Sequence, residues 1–206
     1  MKESEYSIKT VADNKEKWLS YKENFERFNK AKKFGFYLEC LWILYSMIED
    51  RTSSFLMCLG FTSGKDITKV TGCTKIKEQI RQIFNLSGEK INYNFYSLSG
   101  KLLRIKQVIE WSKTYQGEMT DYQKAVKKAV ENLSDNAAFM AALEYLDGEW
   151  RYKRNQVTHA LFNKDPDVVN IEPQHLVENG YTAMRAIDNA ANRIKRKKIR
   201  SRFNIQ

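Results

Sequence analysis

The sequence predicts an all-α bundle of about six or seven helices, and three observations carry that reading. The 206-residue chain has 2 prolines and 9 glycines, too few to punctuate a many-turned β-sandwich. Its polar residues are mostly Lys, Glu, Asn and Gln, which suits long helices joined by a few loops. Apolar residues return at steps of three and four along most of the chain. Hydrophobic residues make up 42% and aromatic residues 13%, enough for a real core in a chain of single-domain length.

Residues 13–33 place Trp18, Tyr21, Phe25 and Phe28 at helical spacing with charges on the other face, which predicts an amphipathic first helix. Leu38, Leu41, Tyr45, Ile48, Thr52, Phe55 and Leu59 then form the core stripe of a long second helix, widened by Trp42 and Leu56 and ended by Gly60 and Gly64. A short amphipathic helix is expected over 74–84, followed by a polar segment containing Asn92, Tyr93, Asn94, Phe95 and Tyr96. Those rings could stack unpaired bases, but packing on the bundle is the favoured reading.

Helices follow over 99–115 and 120–133, broken at Gln116-Gly117. Ser134 or Asp135 is expected to cap the next one, which runs past Trp150 towards Phe162 and stops at Asn163-Lys164-Asp165-Pro166. Pro173 is expected to open the last helix, with His175 on the surface just after it. From about residue 190 a basic tail carries Arg193, Lys195, Arg196, Lys197, Lys198, Arg200 and Arg202, expected to be solvated or flexible. No repeat or long linker divides residues 1–206, so one domain is expected.

Thirty-five Lys and Arg against 25 Asp and Glu leave a net charge of +10, a field that attracts polyanions. Nucleic acid and anionic membrane are the natural partners. No apolar run reaches the roughly 18–20 residues that span a bilayer, and MKESEYSIKT lacks a signal's apolar stretch, so membrane insertion is not expected. Cys40, Cys58 and Cys73 are odd in number and share no ligand spacing, which reads as reduced thiols and a cytoplasmic setting. No zinc cluster, magnesium geometry, phosphate loop or serine-nucleophile motif is present, so no metal or other cofactor is expected.

The chemistry gathers on the penultimate helix. Leu143, Leu146, Trp150, Val157 and Leu161 form its core stripe, and Arg154 falls only about 40° from Trp150 on a regular helix. A buried unpaired guanidinium is costly, so something must meet it there: a carboxylate, a cleft or a partner. Asn155 and His159 lie one turn apart, with His159 about 140° from Arg154. A permanent cation, an orienting amide and a side chain able to take and give a proton are the groups that hold and cleave a phosphodiester. On the second helix Glu39, Ser46 and Asp50 form a polar line, with Glu49 at the core's edge. These acids are candidates to neutralise Arg154 or orient His159, a plain structural salt bridge being the equal alternative. Arg151 and Lys153, with the basic tail, are candidate phosphate contacts that would not read sequence.

Arg154-Asn155-x-x-x-His159, on a late helix of an all-α chain, resembles the Arg-x(4 to 6)-His signature of HEPN domains, and residues 38–56 resemble the long early helix of abortive-infection HEPN proteins. The resemblance implies a homodimer in which two such motifs face each other across a composite, metal-independent RNA-cleaving site. It implies His159 as acid or base for attack by the RNA 2′-hydroxyl, Arg154 stabilising phosphorane charge and Asn155 as positioner. It further implies a setting in phage defence or a toxin system, with an antitoxin or small non-coding RNA as partner. HEPN toxins silenced by nucleotide transfer carry a tyrosine two residues after the histidine; here His159-Ala160-Leu161 follows instead, so that control is not expected. The rival reading is a non-catalytic RNA-binding protein that partners a structured small RNA; a third is a subunit bound to an acidic protein.

Overall fold

The computed structural model describes residues 14–63, 74–84, 95–160 and 166–205. The described residues contain helices and no β-strand: α1 (Asn14–Lys33), α2 (Tyr37–Cys58), α3 (Thr74–Ile83), α4 (Leu98–Thr114), α5 (Asp121–Val130), α6 (Ala137–Tyr145), α7 (Arg151–Ala160), α8 (Pro166–Arg196) and the four-residue α9 (Ile199–Arg202). A π turn, Leu146–Trp150, joins α6 and α7 into one continuous rod. With that rod counted once and α9 set aside as a single turn, the bundle has seven helices, as the sequence predicts.

The centre is α2 against α8. Arg51 reaches Asp188 at 2.9 Å, and Leu44 lies at Gly180, so the two helices run parallel. α1 returns antiparallel through a tight turn in which Gly35 takes φ +76°, a conformation costly for side chains with a Cβ. The Cys40 thiol then donates to the Phe28 carbonyl at 3.6 Å. Phe139 stacks on Phe55 with centroids 5.9 Å apart, while Trp150 sits beside Leu44, so the α6–α7 rod runs antiparallel to α2. Trp150 is fully buried, and its indole N–H donates to the Leu176 carbonyl of α8 at 3.0 Å. Gly180 lies so close that an added Cβ would overlap Trp150 Nε1 and come within 2.9 Å of Leu44.

Local signals explain the helix starts. Ser97 accepts from Gly100 N at 3.1 Å, and Thr120 with Gln123 forms a capping box. α6 is capped by Asn136, whose side chain accepts from Phe139 N at 3.1 Å, and not by Ser134 or Asp135; those two bond each other instead.

Three further expectations are corrected. Trp42 does not widen the core stripe: it is 66% exposed, because α8 and α1 cover the opposite flank, where Cys40, Leu44 and Met47 are buried. Pro173 does not open the last helix but lies inside it, and the first residue of α8 is Pro166. The basic tail is not a loose extension. After Lys198 in the left-handed region (φ 52°) the chain forms α9, buries Ile199 and Ile205, and sets Phe203 edge-on to Tyr122 at 5.5 Å. This hook closes on Gly60, whose φ of +84° ends α2 and whose missing Cβ leaves room for Ile205.

Gly64 and Cys73, together with Asn92, Tyr93, Asn94 and residues 161–165, lie outside the described residues. Among the described helices none is long and apolar enough to cross a membrane.

Candidate functional site

Arg154 projects from α7 onto α2, where its guanidinium lies 4.2 Å above the Tyr45 ring. This cation–π stack is what meets the arginine on its apolar face. Its Nε is buried without a hydrogen-bond partner. The Tyr45 hydroxyl donates to Glu49 Oε1 at 3.1 Å, and Lys101 Nζ of α4 stands 3.6 Å from the same oxygen. A chain of contacts thus runs Lys101–Glu49–Tyr45–Arg154 across three helices. Burial pushes the Tyr45 hydroxyl above its ordinary pKa, helped by the Glu49 carboxylate and opposed by Arg154.

Of the three candidate acids, Glu49 therefore lies on the Arg154 side, acting through Tyr45. Glu39 pairs with Arg27 of α1. Asp50 pairs with Arg51 at 2.7 Å, in a cluster with Asp188 and the Tyr21 ring, on another side of α2.

Lys101 was missed by the sequence reading. It is 4% exposed and sits on the apolar stripe of Leu98, Leu102, Ile105 and Val108. The signal was the same as for Arg154, a cation among core positions. Glu49→Gln keeps an acceptor for Tyr45 but leaves Lys101 a buried cation without its counter-charge. It should destabilise the fold by about 1–3 kcal/mol, read by urea unfolding. Glu49→Gln combined with Lys101→Met should recover part of that loss; no recovery would mean the pair is not coupled.

Asn155 and His159 are exposed beyond Arg154. Both lie in the regular helix after the π turn, so the angle of about 140° between Arg154 and His159 stands. The Thr158 hydroxyl donates back to the Arg154 carbonyl at 2.9 Å. Arg151 is tied to Asp147, donating from Nε to its carbonyl at 3.0 Å, and Lys153 pairs with Glu149 at 3.0 Å. Lys106 of α4 also reaches Asp147, at 2.6 Å, so the π turn's carboxylates are taken up by cations from two helices.

Because α7 runs antiparallel to α2, the turn from Arg154 to His159 climbs towards the α1–α2 turn. The basic hook lies at the opposite pole. There Arg193, Lys195, Arg196, Lys197 and Lys198 are exposed, while Arg200 turns inward and donates to the Thr62 carbonyl at 3.1 Å. Burial pulls Arg200 below the ordinary guanidinium value. The structure does not bring the two groups of candidate RNA contacts together.

Elsewhere, Phe95 is fully buried and Tyr96 is 65% exposed. His175 is exposed. Cys40 and Cys58 are buried and form no disulfide, and burial, with the Glu39 charge, pushes Cys40 up to about 11. Among the described residues no group of three or more His, Cys, Asp or Glu is placed to hold a metal. A cleft of about 650 Å³ opens between α3 and α4, lined by Gln82, Phe84, Gln107, Trp111 and Tyr115 among others. No family model, characterised protein or solved structure matches the chain.

Proposed function

We propose that the chain is a HEPN-type endoribonuclease that works as a homodimer without a metal. The observation that carries this reading is Arg154 held in place on Tyr45, with Asn155 and His159 exposed beside it on the same helix. In the proposed reaction the RNA 2′-hydroxyl gives up its proton and attacks the adjacent phosphorus. The phosphorane's negative charge is stabilised by arginine, and the bond to the 5′-oxygen breaks as that oxygen takes up a proton. Histidine can serve either proton transfer. The divergence of Arg154 and His159 on one helix supports a composite site, because the arginine of one copy and the histidine of the other can converge on one phosphate where a single copy's pair does not. The net charge of +10 supports an RNA substrate.

The test is incubation of the purified protein with mixed RNA in excess EDTA. Fragments ending in 2′,3′-cyclic phosphate and beginning with 5′-hydroxyl are expected. A second reading, an RNA-binding protein that does not cut, is favoured by one feature: the Arg154 guanidinium is already engaged by Tyr45. Tight binding with a steep salt dependence and no cleavage of several RNA pools would establish it in place of the first.

A further inference from the structure

The cleft of about 650 Å³ between α3 and α4 has the size of a small-ligand site. It opens on the α3 side of α4, whereas Lys101 of the same helix reaches Glu49 of α2, so it is separate from the Arg154 site. Phe84, Trp111 and Tyr115 give its walls aromatic surface, with the Trp111 and Tyr115 rings stacked 5.5 Å apart. In a chain of net charge +10, none of the described lining residues is a lysine or arginine, and the one formal charge among them is the exposed Glu110 carboxylate. Such a lining offers no cation to a phosphate or carboxylate. It suits an uncharged ring.

The hydrogen-bonding groups have a fixed polarity. Gln107 lines the cleft from α4, and its Oε1 accepts from Arg104 Nη1 at 2.6 Å. A guanidinium only donates, so the other end of that amide is the NH2 group. Gln82 lines the cleft from α3, and its Oε1 accepts from Gln123 Nε2 at 2.9 Å. That orientation is set because Gln123 Oε1 accepts the Thr120 backbone N–H at 3.0 Å. Both lining amides therefore have their oxygens taken up and keep their NH2 donors, which find no acceptor among the described residues. A third donor, the Trp111 indole N–H, is buried with no acceptor. An acceptor brought to these groups removes the cost of leaving them bare.

We infer that the cleft binds a small, uncharged, planar heterocycle that carries two hydrogen-bond acceptors, such as a ring with two carbonyl groups. The flat ring rests against the aromatic side chains, and its acceptors take the NH2 groups of Gln82 and Gln107. This inference does not rest on the proposed function.

The test follows the side-chain amides of Gln82 and Gln107 by NMR in the nitrogen-15-labelled full chain during titration with uracil, phthalimide, indole and inorganic phosphate. Phthalimide and indole are flat bicycles of similar size; the first has carbonyl acceptors, and the second has a donor and no such acceptor. Uracil and phthalimide are expected to shift both amides, and phthalimide to bind roughly tenfold or more tighter than indole. Gln82→Glu and Gln107→Glu keep the oxygen that accepts from Gln123 or Arg104 and lose the donor. Each should weaken phthalimide roughly tenfold at an unchanged melting temperature. No shift of either amide with uracil or phthalimide at millimolar concentration overturns the inference. So does equal binding of indole, which marks a merely apolar recess, or tighter binding of phosphate. Full affinity in a folded Gln82→Glu/Gln107→Glu double variant overturns it too. The comparison of phthalimide with indole uses the wild type, so it decides the question even where a variant does not fold. None of these results bears on whether the chain cleaves RNA.

Discussion

Replacing His159 with alanine is expected to lower RNA cleavage by roughly 10²- to 10⁴-fold while leaving the fold and its melting temperature unchanged. The physical ground is the contrast between two neighbours on α7. His159 is exposed, so removing its ring opens no cavity. Arg154 is different, because its guanidinium covers the Tyr45 ring. Arg154→Ala should lose cleavage and some stability together, and Arg154→Lys should not rescue it, since an ammonium neither stacks flat nor offers a planar fork. A dimer predicts one more result. Mixing inactive Arg154→Ala with inactive His159→Ala should restore part of the activity, because some mixed dimers carry one intact composite site. Full cleavage by a well-folded His159→Ala would remove this residue from the mechanism, and no recovery on mixing would argue against a site shared between copies.

The largest effect on stability is expected at Trp150. Its side chain is fully buried between α2 and α8, and truncation to alanine should cost about 3–5 kcal/mol. In a chain of this size that is a fall in melting temperature of roughly 10 °C. Gly180 supplies the check. Alanine is worth about 1 kcal/mol more than glycine inside a helix, so Gly180→Ala would ordinarily stabilise α8. Here its Cβ would overlap the indole nitrogen and crowd Leu44, so the net effect should be destabilising. In the Trp150→Ala background only the end of the Leu44 side chain remains in the way, with the vacated indole space to move into, and the sign should reverse. A stabilising Gly180→Ala in the wild-type chain, measured by thermal unfolding, would contradict the close contact.

Helices were legible where apolar residues recurred at helical spacing, as in α1 and α2, although Trp18 at the start of the α1 stripe is 62% exposed, and where turns had chemical punctuation, as at Gly60 and Gln116-Gly117. Pro173 was misread because a proline is most at home in a helix's first turn, whereas α8 continues through it, packed on α2. Trp42 was misread because periodicity finds an apolar face without saying which flank the neighbours cover. The hook was hidden by its charge. Ile199 and Phe203, four residues apart among the basic side chains, were the signal that this stretch has an inner face. In the candidate site, the need for something to meet Arg154 followed from its position alone. That the answer would be a tyrosine ring, with the acid one step behind it and Lys101 behind that, depended on how α2, α4 and α7 pack and was not written in any one helix.

The inward turn of Arg200 onto Thr62 fixes the basic pole at the far end of α2 from Tyr45 and Arg154. Along α2 from Tyr45 to Cys58 the separation is roughly 20 Å, thirteen residues of helical rise. At about 3.4 Å per stacked nucleotide, that is the length of roughly six nucleotides. If the proposed function holds, the bundle would act as a ruler: a strand shorter than that would touch one pole or the other, and a longer one could be gripped at its end while its middle is presented to α7.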